Sequence, residues 1–286
     1  MKKIKLLLSL GVILLSFSCK KSDDKNNTSY NQSDTANDTV NVSKKESCHP
    51  PIPELLAQIM IRDFKENVFD KKIINESELL IDKNIYESII NNFPADSDIL
   101  NCTFVESNQS LGLDGKYSGL SSFNNRLLIL FNYDNSKINT KYHLIANGKD
   151  IIIDEFDAGM MHSLYNTITR IKLDIYAKNY GKNTMKVKIP KHCLQEYIKN
   201  SASNSSLKEY RFVLGKIPHW DADLENFLQT KSEKEVSIST REINMLKNRY
   251  VNNEGQITFI TNAYDADGNI IGDLSYYDLN SLSPPN

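Results

Sequence analysis

Ile171-Lys172-Leu173-Asp174-Ile175-Tyr176-Ala177-Lys178-Asn179-Tyr180-Gly181-Lys182-Asn183-Thr184-Met185-Lys186-Val187-Lys188-Ile189 is the stretch on which the reading of the fold turns. Apolar Ile171, Leu173, Ile175 and Ala177 alternate with Lys172, Asp174, Tyr176 and Lys178. Beyond a Gly/Asn-rich break, Met185, Val187 and Ile189 alternate with Lys186 and Lys188. Period two on both sides of a turn predicts an antiparallel hairpin. One face goes inward and the lysine-bearing face meets water, as in a one-sided antiparallel sheet. Pro190 ends the second strand.

Working outward, the same period recurs toward the amino terminus. Ile99 to Val105, Leu127 to Phe131, Lys141 to Ala146 and Ile151 to Ile153 read as strands. Ahead of them, Leu56, Ile59, Met60, Phe64 and Val68 recur at three and four residues, which predicts a helix over 53–69 begun by Pro53. A shorter helix is expected from Ile85 to Phe93, stopped by Pro94. Toward the carboxyl terminus, His192 to Asn200 reads as a short helix. Arg211 to Leu214 and Val236 to Ile238 read as strands, and Ala222 to Gln229 as a helix behind Asp221. Ser239-Thr240-Arg241-Glu242 has the form of a capping box before Ile243, Leu246 and Tyr250. Gln256 to Asn262, then Asp265-Ala266-Asp267-Gly268-Asn269, predicts a last hairpin. The expected class is α+β: antiparallel, sandwich-like hairpins with several short peripheral helices. Ser201 to Ser206 is the best internal boundary, giving a domain over 48–200 and a smaller α+β unit over 207–286.

The first residues are an address. Lys2, Lys3 and Lys5 precede an apolar run from Leu6 to Leu15, then Ser16-Phe17-Ser18 and Cys19. That order predicts a signal peptide over 1–18. The run is shorter than the roughly 20 residues a membrane-spanning helix needs. Leu15-Ser16-Phe17-Ser18-Cys19 resembles the lipobox of bacterial lipoproteins, with Leu15 four residues before the cysteine where the family usually has three. The resemblance implies cleavage before Cys19, acylation of it by fatty acids such as palmitate, and attachment to the outer membrane. Ser16-Phe17-Ser18 also satisfies the small-x-small rule for ordinary cleavage. Lys20-Lys21-Ser22-Asp23-Asp24 is similar to the charged export tags of Bacteroidota surface lipoproteins.

Residues 20–47 are Asn, Ser, Thr, Asp and Lys with few apolar groups, too polar to offset the entropy of ordering. The segment 19–47 is therefore expected to be a lipidated cysteine and a disordered tether, with a reach of roughly 30 Å. Asp34-Thr35-Ala36 and Asp38-Thr39-Val40 resemble the Bacteroidota O-glycosylation acceptor, which implies Thr35 and Thr39 as modified. Cleavage before Cys19 removes three lysines and no acid, so the net charge moves from −2 to −5. A mildly acidic chain without a basic block excludes nucleic acid as the expected partner.

Candidate chemistry is sparse. Cys48, Cys102 and Cys193 remain after Cys19, and an exported chain permits one bridge among them. Cys48-His49 and His192-Cys193 offer a zinc ligand set, but adjacent residues tend to point apart. A Cys48–Cys193 disulfide needs less coincidence, so no metal and no other cofactor is expected. Asp154-Glu155-Phe156-Asp157 with His162 is the densest acidic cluster near a histidine, and paired carboxylates serve glycoside hydrolysis. A strand end and acidic loop explain the same residues. No nucleophile elbow, zincin or phosphate loop is present. Trp220, with Tyr264, Tyr276 and Tyr277, suits either a stacking surface or a core. The expectation is a membrane-anchored envelope lipoprotein without catalytic residues that binds an unknown protein or glycan. The alternatives are an envelope hydrolase using Asp154, Asp157 and His162, or a protective, immunity-like binding protein.

Overall fold

A computed structural model describes residues 48, 51–134, 141–178, 181–230, 238–278 and 281–283. Cys19, Thr35, Thr39, the tether, His49 and the 236–237 part of a predicted strand lie outside the described residues.

The protein is an α+β fold whose two antiparallel sheets pack as a sandwich. The small sheet joins β1 (Glu78–Asp82), β7 (Leu207–Lys216) and β8 (Ile257–Asp265) in the order β1-β7-β8. The large sheet contains β2 (Ile99–Ser107), β3 (Arg126–Tyr133), β4 (Tyr142–Ala146), β5 (Lys149–Ile153), β6 (Lys186–Pro190) and β9 (Ser281–Ser283), ordered β5-β4-β3-β2-β6-β9. Every pairing between neighbouring strands is antiparallel.

Strand alternation places the core. On β2, Leu100, Cys102 and Phe104 face the inter-sheet layer, while Val105 faces the other way. On β8, Phe259 enters that layer and Ile260 points to the opposite side. Phe212 and Phe259 stack at 4.2 Å between ring centroids, with Tyr86 edge-on to Phe212. Tyr86 comes from helix α2 (Lys83–Asn91), and helix α5 (Lys191–Ala202) adds Leu194, Tyr197 and Ile198 to the same core. The outer face of the small sheet is covered by α1 (Glu54–Phe64), α6 (Ala222–Thr230) and α7 (Thr240–Tyr250). Ala158 and Met161 of α3 (Glu155–Thr167), with Leu113 and Leu120, cover the outer face of the large sheet. Both faces of the central strands are thus buried, which is why Leu127–Phe131 of β3 reads as an unbroken apolar run and why even Thr258, Thr261 and Asn262 of β8 are buried.

The structure changes three expectations. Residues 171–177 are not a strand: Thr169–Asp174 is helix α4, and β6 pairs with β2 and β9 instead. Only Thr169, Leu173 and Ala177 are buried, a spacing of four, whereas Ile171 and Ile175 are exposed. The alternation over 171–177 also contains the four-residue step from Leu173 to Ala177, so the pattern alone does not separate helix from strand. Second, the chain does not divide at 201–206. Residues 46–286 form one compact unit, β1 pairs with β7 across the expected boundary, and Phe104 and Phe212 share one core. Third, the last hairpin has no full return strand. After the Asp265–Asn269 turn the chain returns through two isolated bridges, Tyr264–Ile270 and Thr261–Tyr277, with a short 3-10 turn over 272–274 between them.

Candidate functional site

Asp154 and Asp157 come together at the start of α3 as a helix cap. Asp154 accepts the Asp157 N–H at 2.9 Å, the local bond that opens a helix. Lys116 Nζ bonds Asp154 and reaches Asp157 Oδ2 at 2.6 Å, and the Tyr117 hydroxyl donates to the same oxygen at 2.7 Å. The Lys116 hydrogen bond, helped by the Asp157 N–H, holds the Asp154 carboxyl down to about 2. That is the reverse of the raised carboxyl a general acid uses. His162 lies five residues along α3 from Asp157, well round the helix, and its Nδ1 is 3.2 Å from the Phe104 carbonyl of β2. Burial lowers its pKa, and Lys186 and Arg170 act in the same direction.

The other candidates fall in the core or at its rim. Trp220 is buried and stacks on Tyr250 at 6.4 Å. The Tyr264 ring carries the Arg211 guanidinium at 4.1 Å, and Tyr277 packs on Tyr197 at 4.8 Å. These aromatics therefore serve packing and do not form one exposed face. Cys48 and Cys193 are joined by a disulfide with Cα atoms 5.3 Å apart, tying residue 48 to α5. His192 Nε2 stands 3.4 Å from Cys193 Sγ. Among the described residues, Cys48, His192 and Cys193 are the one cluster with metal-ligand geometry, and its two sulfurs are bonded to each other. Cys102 is a buried thiol whose pKa burial pushes up, which keeps it unreactive.

A cavity of about 190 Å³ lies where β2 ends, between the 72–76 turn and the α3–α4 junction. Its lining is mostly polar, with Lys72, Glu76, Glu106 and Lys172 as the charged groups and Ile74, Leu127, Leu164 and Ile168 among the apolar ones. Glu76 is buried and fully engaged: Arg126 Nε donates to one oxygen at 2.8 Å and the Leu127 N–H to the other at 3.1 Å. Glu106 continues the inward phase of Leu100, Cys102 and Phe104, so the strand carries a carboxylate into the rim of the inter-sheet core. It accepts a hydrogen bond from Thr169 Oγ1 of α4. Burial raises its pKa, against which the Thr169 bond and the charge of Lys172 act. The Ser107 hydroxyl is buried without a partner.

Beside this cavity α4 presents an apolar stripe to solvent. Ile168, Ile171 and Ile175 are 43%, 54% and 77% exposed. Ile171 lies within α4 and Ile168 and Ile175 flank it as its caps, and their spacing of three and four residues sets them on the side away from buried Leu173. Ile168 belongs both to the stripe and to the cavity wall. A second groove, about 290 Å³, separates β1 from β3 and β4 and is lined by Leu80, Ile129 and Ile145 among others. The cavity and stripe were not foreseen. The signal for Glu106 was present, a carboxylate in phase with inward residues of a strand. The stripe was hidden by the strand reading of the same isoleucines.

Comparison of the chain with protein-family models, curated proteins and solved structures gives no match to any of them. None of the described helices is long and apolar enough to cross a membrane.

Proposed function

We propose that the chain is a non-catalytic binding component of the cell envelope, lipid-anchored at Cys19 to the outer membrane, with the α+β body carried on the 20–47 segment. The observation that carries the binding part is the Ile168–Ile171–Ile175 stripe beside a polar cavity. Scattered surface apolar residues need no explanation, but three exposed isoleucines grouped along α4 and its two ends are what an interaction site offers. The carboxylates of the 154–157 cluster, already engaged by Lys116 and Tyr117, support a structural role for that cluster over a hydrolytic one. The anchor rests on the leader and its cysteine.

The test is site-specific photocrosslinking in intact cells, with the reactive side chain at 171 or 175 and a control at exposed Lys208. A discrete adduct from the stripe positions that is absent from the control is expected. Equal, diffuse labelling from all three would remove the reading.

A further inference from the structure

We propose that the free edge of β1 takes up an extended peptide segment with basic ends as a fourth strand of the small sheet. This surface shares no residue with the stripe on α4, so it goes beyond the binding reading above and stands apart from it. The Leu214 N–H donates to the Ser77 carbonyl at 2.9 Å, and β1 continues antiparallel to β7 with Leu79 opposite Phe212 and Ile81 opposite Tyr210. In such a ladder the residues between, Glu78 and Leu80, turn their N–H and C=O groups away from β7. Among the described residues nothing bonds the Leu80 N–H or C=O on that outer side. An unpaired strand edge is a ready template for another chain. The opposite edge of the same sheet is met by the Thr261–Tyr277 and Tyr264–Ile270 bridges, so β1 is the side left open.

The space beside this edge suits side chains. A groove of about 290 Å³ runs between β1 and the β3–β4 pair, mostly apolar in its lining, with Leu79, Ile129 and Ile145 on its walls. The small sheet also leaves part of the large sheet's inner face uncovered. Ile152 of β5 stands opposite His143, which stands opposite inward-facing Phe131, yet Ile152 is 41% exposed. Alternation then sets the pattern of the guest. Its residues opposite Leu79 and Ile81 point toward that face and are apolar, whereas those opposite Glu78, Leu80 and Asp82 lie outside. Charge decides the outer ones. Glu78 shares the Arg211 guanidinium with Glu209, and Asp82 has the Ile85 N–H of α2 as its donor, so the edge carries a carboxylate at each end. Arg126, the groove's own cation, is held by buried Glu76. A second copy pairing antiparallel about Leu80 would set Glu78 opposite Asp82 twice, and like charges directly opposite oppose that pairing. A guest with Lys at each end meets both acids instead.

The experiment titrates the full mature chain in lipid nanodiscs with a fluorescent pentapeptide, Lys-Val-Thr-Val-Lys blocked at both ends, and reads anisotropy. Its valines face the groove and its lysines meet Glu78 and Asp82. One control peptide is N-methylated at the central Thr, which removes the amide that pairs with the Leu80 carbonyl. Another carries Glu in place of both Lys. The parent is expected to bind about tenfold more tightly than the N-methylated peptide, severalfold more tightly than the acidic one, and to slow hydrogen exchange across β1. Leu80→Pro removes an N–H that β7 does not use and is expected to abolish binding while the fold remains. Equal binding of the parent and N-methylated peptides to the unaltered protein would overturn the proposal, and needs no variant to fold. So would an absence of parent binding, an acidic peptide that binds as well, or unchanged affinity in a folded Leu80→Pro protein. Dimerisation of the chain that by itself protects β1 would make a second copy the occupant and overturn it too. Crosslinks from 171 and 175 without peptide binding would retain the binding reading and discard this inference.

Discussion

Asn183 is the residue that most tightly knits the body together. Its side chain is wholly buried, donating to the Leu173 carbonyl at 3.0 Å and the Gly255 carbonyl at 3.1 Å. Its Oδ1 accepts the Ile257 N–H at 2.8 Å and the Thr184 N–H at 2.9 Å. Asn183→Ala strands four backbone groups, each costing about 1–3 kcal/mol when buried without a partner. A loss of at least ~3 kcal/mol is expected by urea unfolding, against no more than ~0.5 kcal/mol for an exposed control such as Lys208→Ala. Next to it, Gly255 has φ +78°, and a Cβ there would lie 1.5 Å from the Tyr176 carbonyl oxygen, so no other residue fits. Glu254 is buried beside this turn. Burial alone would raise its pKa, but the Trp220 N–H, His219 and Lys178 outweigh it and lower it overall. A carboxyl depressed in the folded state stabilises above its unfolded pKa of ~4.3, and that stabilisation is lost as pH falls through the folded value. Unfolding followed from pH 6 down to pH 3 should show a loss below about pH 4.3 that Glu254→Gln reduces. Parallel curves for the two proteins would contradict this assignment. Neither role was legible beforehand. Asn183 reads as an ordinary turn residue, and the partners of Asn183 and Glu254 lie far along the chain.

At the scale of elements, much was legible where burial and period agree. The 53–69 helix, strands β2 to β6 and the Ser239 cap all show in the sequence, and Ser239 Oγ does accept the Glu242 N–H. The error at 171–177 has a physical cause. Two exposed isoleucines completed an alternation that the core does not use. The structure therefore makes a prediction opposite to that of a strand. Leu173→Ala should cost about 2–5 kcal/mol. Ile171→Ser and Ile175→Ser should each change stability by no more than ~0.5 kcal/mol. A strand with all four residues inward would show comparable losses at each, measurable by thermal or urea unfolding. Helix α3 escaped notice because only Asp157, Ala158, Met161 and Tyr165 of its residues are buried, and Gly159, Asn166 and Thr167 weaken its helical signal. Strand β1 is five residues long with Leu80 exposed, too short and irregular to show in period alone.

For the molecule as a whole, the two sheets are built from interleaved parts of the chain. β1 and β7 pair across about 130 residues of sequence, and the Cys48–Cys193 bridge spans 145. Closing so long a loop restricts the unfolded chain, worth ~4–5 kcal/mol in the chain-entropy picture. Cys48→Ser/Cys193→Ser, or reduction of the native protein, should lower the unfolding midpoint. An unchanged midpoint would show the bridge to be dispensable. The division at 201–206 failed for the same reason. A polar serine run marks a surface turn between α5 and β7, but sheet pairing and the shared core cross it. The proposed role depends on whether the stripe on α4 is covered where the protein works. Hydroxyl-radical footprinting of Ile171 and Ile175 by mass spectrometry compares the purified body with the same protein in native envelopes. The account predicts strong labelling of both residues in the purified body and several-fold protection in the envelope, with exposed Phe156 labelled alike in both. Equal labelling of Ile171 and Ile175 in the two settings would contradict it.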